Sequence, residues 1–253
     1  MQSRVQRTAR LLAKSNYTVA LTGAGISTPS GIPDFRSPGS GLWSHVDPLE
    51  VASIVAFYNH PERFFHWFRP LARSLLNAKP NPAHLALAEL EWMNLLHRVI
   101  TQNVDALHQK AGSRLVLEMH GHLRTATCLN CGQVVPTDRL WEPYLIDRQM
   151  PRCASCGGVL KPDVVLFGEP VPYEPLAQAQ EDALRCDVML VIGSSLEIMP
   201  AADLPFLARR HGAHVIVVNY QPTAVDKLAD VVFHEDVIAV LPQLVETCRA
   251  DLS

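Results

Sequence analysis

Residues 17–36 read YTVALTGAGISTPSGIPDFR, an apolar run that leads straight into a glycine-rich loop. The run at 17–21 predicts a buried parallel strand. Because Gly23 and Gly25 carry no side chains, the backbone N–H groups of the loop can come close to a pyrophosphate. The dinucleotide fingerprint places its third glycine three residues after the second, where this chain has Thr28. The stretch favours a dinucleotide site, and an ordinary turn with two glycines at positive φ remains the alternative.

The end of the loop strengthens the ligand interpretation. Residues 32–36 read IPDFR and place a carboxylate, an aromatic ring and a guanidinium side by side. Loops carry such side chains for ligands more often than for packing. We therefore expect this loop to face a bound ligand.

Composition limits the class of protein. The chain has 253 residues, of which 48% are hydrophobic and 19% charged, as is ordinary for a globular protein with a sizeable core. Its net charge of −3 argues against a nucleic-acid-binding protein. No apolar run approaches the length of a membrane span, and no signal-peptide pattern is present. We expect a cytoplasmic protein that binds neither a specific nucleic acid nor a membrane.

The rest of the chain alternates between predicted strands and helices. Strands that are apolar almost throughout are expected at residues 17–22, 97–101, 115–119, 187–192, 214–218 and 231–233. Helices are predicted at residues 3–14, 48–78, 82–96, 104–110, 174–185, 201–211 and 235–249, and residues 161–169 return to strand character. Such a pattern is typical of a parallel sheet covered by helices on both faces. We predict a doubly wound α/β fold.

Polar groups collect where the predicted strands end. Residues 102–105 read QNVD, His120 follows the third strand, and residues 193–195 and 219–221 read GSS and NYQ. The carboxyl ends of parallel strands meet at one edge of an open sheet, where dinucleotides bind. A redox enzyme is not favoured, because the third glycine is missing and Gln102, not an acid, ends the second strand. Such a site could use NAD as a substrate whose glycosidic bond is cleaved. By itself, His120 is as consistent with a structural role as with catalysis.

Two C-x-x-C knuckles, CLNC and CASC, lie in residues 122–160, and 21 residues separate them. Paired knuckles at this spacing predict one tetrahedral zinc ion. Its ligands would be Cys128, Cys131, Cys153 and Cys156. Disulfides are the first alternative but do not suit a reducing compartment, and a redox pair does not explain two matched knuckles. Because all four ligands are cysteine and no coordination position stays open, the ion should be structural.

Taken together, these motifs resemble those of the sirtuins, the NAD-dependent protein-lysine deacylases. The resemblance rests on GAGIS, GIPDFR, TQNVD, LH, HG, the two knuckles, PDVVLFGE, GSSL and PAADLP, and it covers nearly the whole chain. It implies a large Rossmann-like domain formed by residues 1–36, 81–121 and 161–253. A helical insertion at 37–80 and the zinc module at 122–160 would form a small domain. Acyl-lysine proteins would enter between the domains as an extended strand, NAD would be a co-substrate, and the chain is expected to be a monomer.

The resemblance also assigns roles to individual residues. His120 would be the general base that takes a proton from the ribose hydroxyls, because a histidine pKa lies near the operating pH. Asn103 and Asp105 would hold the nicotinamide end and an ordered water, and Phe35 would screen the reacting ribose. NAD contacts are expected at Gly23, Ala24, Gly25, Ile32, Asp34, Phe35, Arg36, Gln102, Asn103, Asp105, Gly193, Ser194, Ser195, Asn219, Tyr220, Gln221 and Val237. Substrate contacts are expected at Val104, Val164, Val165, Leu166 and Phe167, of which the last four would pair with the peptide as an added strand.

Departures from the family pattern are few. Lys161 stands where many relatives have arginine. The desuccinylating branch carries a tyrosine and an arginine three residues apart, whereas here Tyr58 is followed by Pro61. Arg63 and Arg69 lie nearby but are wrongly spaced. We therefore expect acetyl and other neutral acyl groups to be preferred over succinyl.

Two other functions stay open at this point. Mono-ADP-ribosyl transfer would use the same cleavage of NAD with a different acceptor. A non-catalytic sensor of NAD or ADP-ribose, with the zinc module as a protein-interaction surface, is the second. The presence of His120 and Asn103 argues against the sensor.

Overall fold

A computed structural model describes residues 1–35, 37, 39, 41–44 and 46–252. These residues form a six-stranded sheet, a three-stranded sheet and ten α-helices. Arg36, one of the expected NAD contacts, lies outside them. None of the helices in the part of the chain that the structure describes has the length and apolar character needed to cross a membrane.

The nine strands are numbered along the chain. They are β1 (Thr18–Thr22), β2 (Arg98–Thr101), β3 (Val116–Glu118), β4 (Gly121–Cys128), β5 (Val134–Pro136), β6 (Leu160–Val164), β7 (Val188–Ile192), β8 (His214–Val218) and β9 (Val231–Phe233). The six-stranded sheet is parallel throughout, in the order β3-β2-β1-β7-β8-β9. The order reverses between β1 and β7. In such sheets, ligands bind at the carboxyl ends of the strands beside the reversal.

The helices are numbered in the same way. They are α1 (Gln2–Lys14), α2 (Pro48–Val51), α3 (Ile54–Asn59), α4 (Pro61–Asn77), α5 (Pro82–Trp92), α6 (Leu107–Ala111), α7 (Trp141–Ile146), α8 (Tyr173–Arg185), α9 (Leu204–Arg210) and α10 (Val237–Leu252).

The large sheet is covered on both faces, which confirms the predicted doubly wound fold. Successive residues of a strand point to opposite faces. On β7, Val188 and Leu190 pack in one core with residues of α1, α5 and α10. Met189 and Val191 pack in a second core with residues of α8 and α9. Because each face meets helices, both sets of side chains are apolar, and the strand reads as a continuous apolar run.

The second sheet is antiparallel, with its strands in the order β5-β4-β6. Helix α7 attaches the segment between β5 and β6 to α4. The buried Tyr144 hydroxyl donates a hydrogen bond to the carbonyl of Phe65 at 2.5 Å. Arg69 donates from Nε to the carbonyl of Tyr144 at 3.2 Å, and its guanidinium lies 5.1 Å from the centre of the Tyr144 ring. The helical insertion and the cysteine-rich segment are thus packed together.

Two predicted elements differ in the structure. Residues 160–164 form β6, which pairs with β4 and not with the large sheet. The expected domain boundary after residue 160 therefore lies within β6. Apolar periodicity indicates a strand but does not indicate the strand with which it pairs. The predicted helical stretch at 48–78 consists of three helices, since Ser53 caps α3 and Pro61 begins α4. The division into two domains stays a prediction.

Candidate functional site

The glycine-rich loop and the end of β7 touch at the reversal of the sheet. The Gly25 N–H donates to the carbonyl of Gly193 at 2.8 Å, and the Gly23 N–H donates to the carbonyl of Ile192 at 3.1 Å. A Cβ at Gly23 would lie 2.7 Å from the Gly193 oxygen, and one at Gly25 would lie 2.8 Å from the Gly193 Cα. Gly23 has φ −126°. Close backbone approach, and not positive φ, therefore requires both glycines, which argues against the ordinary-turn interpretation.

Side chains from two strand ends meet above this loop. Gln102, which follows β2, donates from Nε2 to the Ser194 hydroxyl at 2.9 Å. The Ser194 oxygen also accepts the N–H of Leu196 at 3.3 Å. The bridge spans the end of β1, since β2 and β7 are its two neighbours in the sheet. Two of the predicted NAD contacts are thus held together beside Gly193.

Asn103 and Asp105 are tied to the glycine-rich loop through Ser27. Asn103 donates from Nδ2 to the Gly23 carbonyl at 2.9 Å and to the Ser27 hydroxyl at 3.2 Å. The Ser27 hydroxyl donates to Asp105 Oδ2 at 2.6 Å, and Asp105 Oδ1 accepts the N–H of Leu107 at 2.8 Å. Burial raises the pKa of Asp105, opposed by these two hydrogen bonds. Half-buried Val104 lies between the two residues.

His84 supplies a further contact to Ser27 that the sequence analysis did not include. Its Nδ1 accepts the N–H of Asn81 at 3.4 Å in a capping box at the start of α5. The proton of the neutral ring is therefore on Nε2, which faces the Ser27 oxygen at 3.5 Å. Burial lowers the pKa of His84 to about 4, so the ring is neutral at pH 7. The only sequence signal is the capping pattern at residues 81–84, which by itself predicts a helix start.

His120 is fixed in one tautomer by the main chain. Its Nδ1 lies 3.0 Å from the carbonyl oxygen of Gln102. A carbonyl only accepts hydrogen bonds, so the proton is on Nδ1 and the lone pair is on Nε2. The His120 carbonyl in turn accepts the N–H of Val165 at 2.9 Å. The next residue, Gly121, has φ +75°, and a Cβ there would clash with the Asp163 carbonyl.

Aromatic rings line the other side of the loop. Phe35 stacks on Trp43 with 5.2 Å between ring centres, and Trp43 stacks on Trp67 of α4 with 5.3 Å. The edge of Phe167 meets Trp43 at 5.9 Å. We call these four half-buried rings the aromatic wall. Through Trp43, which contacts both rings, it connects Phe35, a predicted NAD contact, with Phe167, a predicted substrate contact.

The predicted substrate segment 164–167 already makes many backbone hydrogen bonds. Phe167 donates to the Ala52 carbonyl at 2.9 Å and accepts from the Ile54 N–H at 2.9 Å. Lys161 Nζ donates to the Val164 carbonyl at 2.9 Å, and Glu169 Oε2 accepts the Leu166 N–H at 2.8 Å. Lys161 and Glu169 form an ion pair at 2.9 Å. Pairing of this segment with a peptide stays a prediction.

The four predicted metal ligands converge. The Sγ atoms of Cys128, Cys131, Cys153 and Cys156 all lie within 4.8 Å of one another. Cys128 Sγ is 3.5 Å from Cys156 Sγ, and Cys131 Sγ is 3.8 Å from Cys153 Sγ. A disulfide would need about 2.05 Å, whereas tetrahedral zinc with Zn–S bonds of about 2.3 Å places its sulfurs about 3.8 Å apart. The residues therefore fit a zinc ion, and the disulfide alternative does not hold.

Backbone N–H groups favour the thiolate form of one cysteine in each knuckle. The N–H of Cys131, helped by that of Asn130, lowers the pKa of Cys128 to about 6 against the effect of desolvation. The N–H groups of Ser155 and Cys156 lower the pKa of Cys153. Thiolates are the form in which cysteine binds zinc.

Comparison with known proteins decides the family. Residues 23–200 match the model of the Sir2 family. The chain belongs to the Sir2 family. It is 46% identical over 253 residues to NAD-dependent protein deacylase 2 of Archaeoglobus fulgidus, covering 98% of each chain. It is also 46% identical over 224 residues to NAD-dependent protein deacetylase 1 of Geobacillus kaustophilus, covering 88% of this chain and 90% of the relative. The sirtuin resemblance is confirmed.

Solved Sir2 structures superimpose on nearly the whole chain. One Sir2 enzyme has a TM-score of 0.93 at 45% identity and covers 99% of both chains. A Sir2 structure with a deacetylated p53 peptide and 3′-O-acetyl-ADP-ribose has a TM-score of 0.91 at 38% identity, over 96% of this chain and 97% of the other. A Sir2 protein bound to a myristoylated histone peptide has a TM-score of 0.86 at 40% identity, over 100% and 99%. The Sir2 fold is therefore shared from end to end.

Not every expected site residue of this Sir2 chain presents its side chain at the sheet edge. Ile32 is buried in a core that includes residues of α3, α4 and α7. Val237 is buried in the core that includes residues of α1 and α5. Asn219 turns back and donates from Nδ2 to the Gln221 carbonyl at 2.8 Å, and Tyr220 is exposed. Asp34 accepts hydrogen bonds from the N–H and the hydroxyl of Ser37. Contacts of these residues with NAD stay predictions.

Proposed function

We propose that this Sir2 chain removes acetyl and other neutral acyl groups from protein lysines. It would consume NAD and water and release nicotinamide, O-acyl-ADP-ribose and free lysine. The observation that carries the proposal is the His120 ring, whose Nδ1 is committed to the Gln102 carbonyl, so that Nε2 is the basic nitrogen at the sheet edge. The names of the relatives, NAD-dependent protein deacylase and deacetylase, support the same reaction.

NAD supplies an electrophilic ribose carbon when its nicotinamide bond breaks, and the acyl oxygen of the lysine is the group that adds to it. The chain holds the reactants in place. Gly23 and Gly25 let the glycine-rich loop pack against the end of β7, and the pyrophosphate of NAD is expected beside this loop. Gln102 and Ser194 hold each other over β1, where the ribose is expected. The Asn103 amide donates its N–H bonds to Gly23 and Ser27, so its oxygen is the group left for nicotinamide or a water.

His120 would move one proton. A histidine contributes as a general base when its pKa lies near the operating pH and its basic nitrogen faces the proton to be removed. Hydrogen bonding of Nδ1 to the main-chain carbonyl places the lone pair on Nε2, the nitrogen that would take the proton from a ribose hydroxyl. The removal of that proton lets the hydroxyl oxygen attack the former acyl carbon. The bond from this carbon to the lysine nitrogen then breaks as the amine takes up a proton, and water completes the O-acyl-ADP-ribose.

The acyl group would lie against the aromatic wall of Phe35, Trp43, Trp67 and Phe167. Aromatic rings favour an uncharged chain, because burying a carboxylate without a partner is costly. Arg69, one of the two arginines considered for a carboxylate clamp, hydrogen-bonds to the Tyr144 carbonyl and lies against the Tyr144 ring. This supports the expected preference for neutral acyl groups.

One experiment separates the three candidate functions. Purified protein is incubated with NAD and an acetyl-lysine peptide, and nicotinamide, deacetylated peptide and O-acetyl-ADP-ribose are measured together by mass spectrometry. A deacylase yields all three in equal amounts. An ADP-ribosyl transferase yields nicotinamide and an ADP-ribosylated protein with the acetyl group retained. A sensor binds NAD, which calorimetry measures, and yields none of these products.

We also propose that the chain acts as a cytoplasmic monomer on peptides that enter beside β6 as an extended strand. None of the six cysteines forms a disulfide in the part of the chain that the structure describes, which suits a reducing compartment. Strand β6 is at the edge of the small sheet, where a peptide can be added. Sedimentation at micromolar concentration tests the monomer, and a dimer would contradict it.

A further inference from the structure

Three buried side chains form a line beside residues 102–106, which we call the Asn103 loop. Thr22 and Thr101 are the last residues of β1 and β2 and face each other in register. Their hydroxyl oxygens are 2.9 Å apart, and His108 Nε2 on α6 lies 2.9 Å from the Thr22 oxygen. All three residues are at least 98% buried. The reaction proposed above uses none of them.

The line ends on the main chain of Asn103. The Thr101 hydroxyl oxygen accepts the N–H of Asn103 at 3.1 Å. The Thr22 hydroxyl donates to Thr101, so its oxygen is left to accept a hydrogen bond from His108. The proton of the neutral His108 ring is then on Nε2. His108 Nδ1 has no hydrogen-bond partner among the described residues, and an unpaired lone pair is tolerated more readily than an unpaired N–H.

The Asn103 loop needs this support because it is short and partly strained. Its side chain is held from one side by Gly23 and Ser27. The loop ends at Ala106, which has φ +58°, a conformation that costs a residue with a Cβ roughly 1–2 kcal/mol. A loop with a strained end relaxes unless its surroundings fix it. The Thr101 hydroxyl accepts the main-chain N–H of Asn103 and so helps to hold the loop in place.

We propose that His108 is a positioning residue for the cleavage of NAD, acting through Thr22 and Thr101 on the main chain of Asn103. The proposal rests on the proposed function, since it assigns the Asn103 amide to the nicotinamide end. His108 would touch neither NAD nor the acyl-lysine. It would hold the loop in the position from which the Asn103 amide reaches its ligand, and a displacement of about 1 Å at such a group lowers a rate by roughly 10²-fold.

The test compares two threonines of the same strand. Thr22→Val removes both hydrogen bonds of the Thr22 hydroxyl at nearly constant volume, and Thr22→Ser keeps them. Thr18→Val is the matched control, because Thr18 is equally buried at the other end of β1 and its hydroxyl donates to Ser15, away from the line. The measurements are exchange of labelled nicotinamide into NAD at saturating acetyl-peptide, the KM for the peptide, unfolding in urea, and the hydrogen-exchange rate of the Asn103 amide by NMR.

Thr22→Val is expected to lower nicotinamide exchange by roughly 10–100-fold, with the KM for the peptide unchanged and faster hydrogen exchange of the Asn103 amide. Thr22→Ser and Thr18→Val are expected to keep the wild-type rates, although Thr18→Val unfolds at lower urea. His108→Leu should behave like Thr22→Val, and His108→Gln, whose amide offers an N–H near the position of Nε2, should recover part of the lost rate.

Two results would overturn the proposal. One is wild-type nicotinamide exchange in folded Thr22→Val and His108→Leu. The other is an equal loss of exchange in Thr18→Val, since the effect would then follow stability alone. If the wild-type protein itself releases no nicotinamide, the proposed function fails separately. The hydrogen-exchange rate of Asn103 in Thr22→Val against Thr18→Val still decides whether the line holds the loop, and equal rates would refute it.

Discussion

At the scale of single residues, His120 and Gly121 act as one unit. The His120 ring is oriented by the Gln102 carbonyl and its own carbonyl is bound by Val165. Gly121 lets the chain turn back at this point, because its φ of +75° brings the backbone against Asp163. The position of the proposed base therefore depends on a residue without a side chain. Two predictions follow from this pair.

His120→Ala should lower deacylation by roughly 10²–10⁴-fold, the range for removal of a general base. Binding of the acetyl-peptide should be largely kept. Breaking the nicotinamide bond depends mainly on orientation, so exchange of labelled nicotinamide into NAD should survive in part. Asn103→Ala should impair exchange and deacylation together. If His120→Ala abolished exchange as completely as deacylation, with NAD binding intact, His120 would act in the first step and its assigned role would be wrong.

Gly121→Ala should destabilise the protein by roughly 2–5 kcal/mol, from the left-handed conformation and from the clash with Asp163. Gly112→Ala is the control, because Gly112 also has positive φ but nothing lies within 4 Å of its added Cβ. It should cost only about 1–2 kcal/mol. Urea unfolding of both variants measures the difference. Equal losses would show that space at Gly121 is not limiting.

At the scale of elements, the two knuckles and the two histidine-bearing helices have opposite roles. The knuckles bring four sulfurs together at the end of the small sheet. Helices α5 and α6 instead bury two neutral rings, His84 and His108, whose centres are 4.9 Å apart. The first arrangement is stable only with a positive ion, and the second only without positive charge.

The knuckles should bind one zinc ion per chain, which elemental analysis of the purified protein measures. Cys131→Ser should lose the metal and lower the unfolding temperature, because metal binding contributes directly to the stability of such modules. Cys186→Ser is the control, since Cys186 is buried in the core against α8 and α9. It should keep the metal at full occupancy. A wild-type protein without stoichiometric metal would contradict the assignment.

The buried histidines should make stability depend on pH. Burial lowers the pKa of His84 from 6.5 to about 4, and burial together with the neighbouring His84 lowers the pKa of His108 to about 3. As the pH falls below 6.5, the unfolded chain takes up these protons before the folded chain does. The contribution of these neutral histidines to the free energy of unfolding is therefore fully present above pH 6.5. It falls towards pH 4, by roughly 1.4 kcal/mol per pH unit for each histidine.

Asp105 acts in the opposite direction. Its pKa is raised by burial, so its contribution to stability is present at low pH and is lost as the pH rises through the folded value. Urea unfolding of wild type and His108→Asn between about pH 8 and 4 measures the net slope. The slope should be smaller in the variant, and the two proteins should run parallel above pH 7. An identical slope below pH 6.5 would contradict the expected burial of a neutral His108.

At the scale of the whole molecule, the aromatic wall lies where the large sheet meets the helical insertion. We propose that acyl choice is set there, so acetyl-lysine and other neutral acyl-lysines should have a higher kcat/KM than succinyl-lysine. Trp67→Arg would place a positive charge in the wall and should raise the relative rate of succinyl-lysine. A native preference for succinyl would refute the prediction. It would then direct attention to Arg63, since Arg69 is occupied by Tyr144.

The sequence predicts the sheet better than it predicts the site. Each strand of the large sheet is a continuous apolar run with helices on both faces, and such runs are visible without a structure. The pairing of β6 with β4 was not predicted, because an apolar run does not specify the strand beside it. The contact of His84 with Ser27 and that of His108 with Thr22 form only through folding, across 57 and 86 residues of sequence. The sequence singles out Gly23 and Gly25, but their contact with Gly193 is not visible in it.

Central strand β1 has a consequence for how the protein is made. Its loop is completed by the bond from Gly25 to Gly193, across 168 residues of chain. A ribosome that adds about 5–20 residues per second needs roughly 8–34 s to make that length. During this time the first strand has left the ribosome with one of its two flanking partners still unmade. A nascent chain that ends before β7 contains the whole glycine-rich loop, but Gly193, which accepts the Gly25 N–H, has not yet been made.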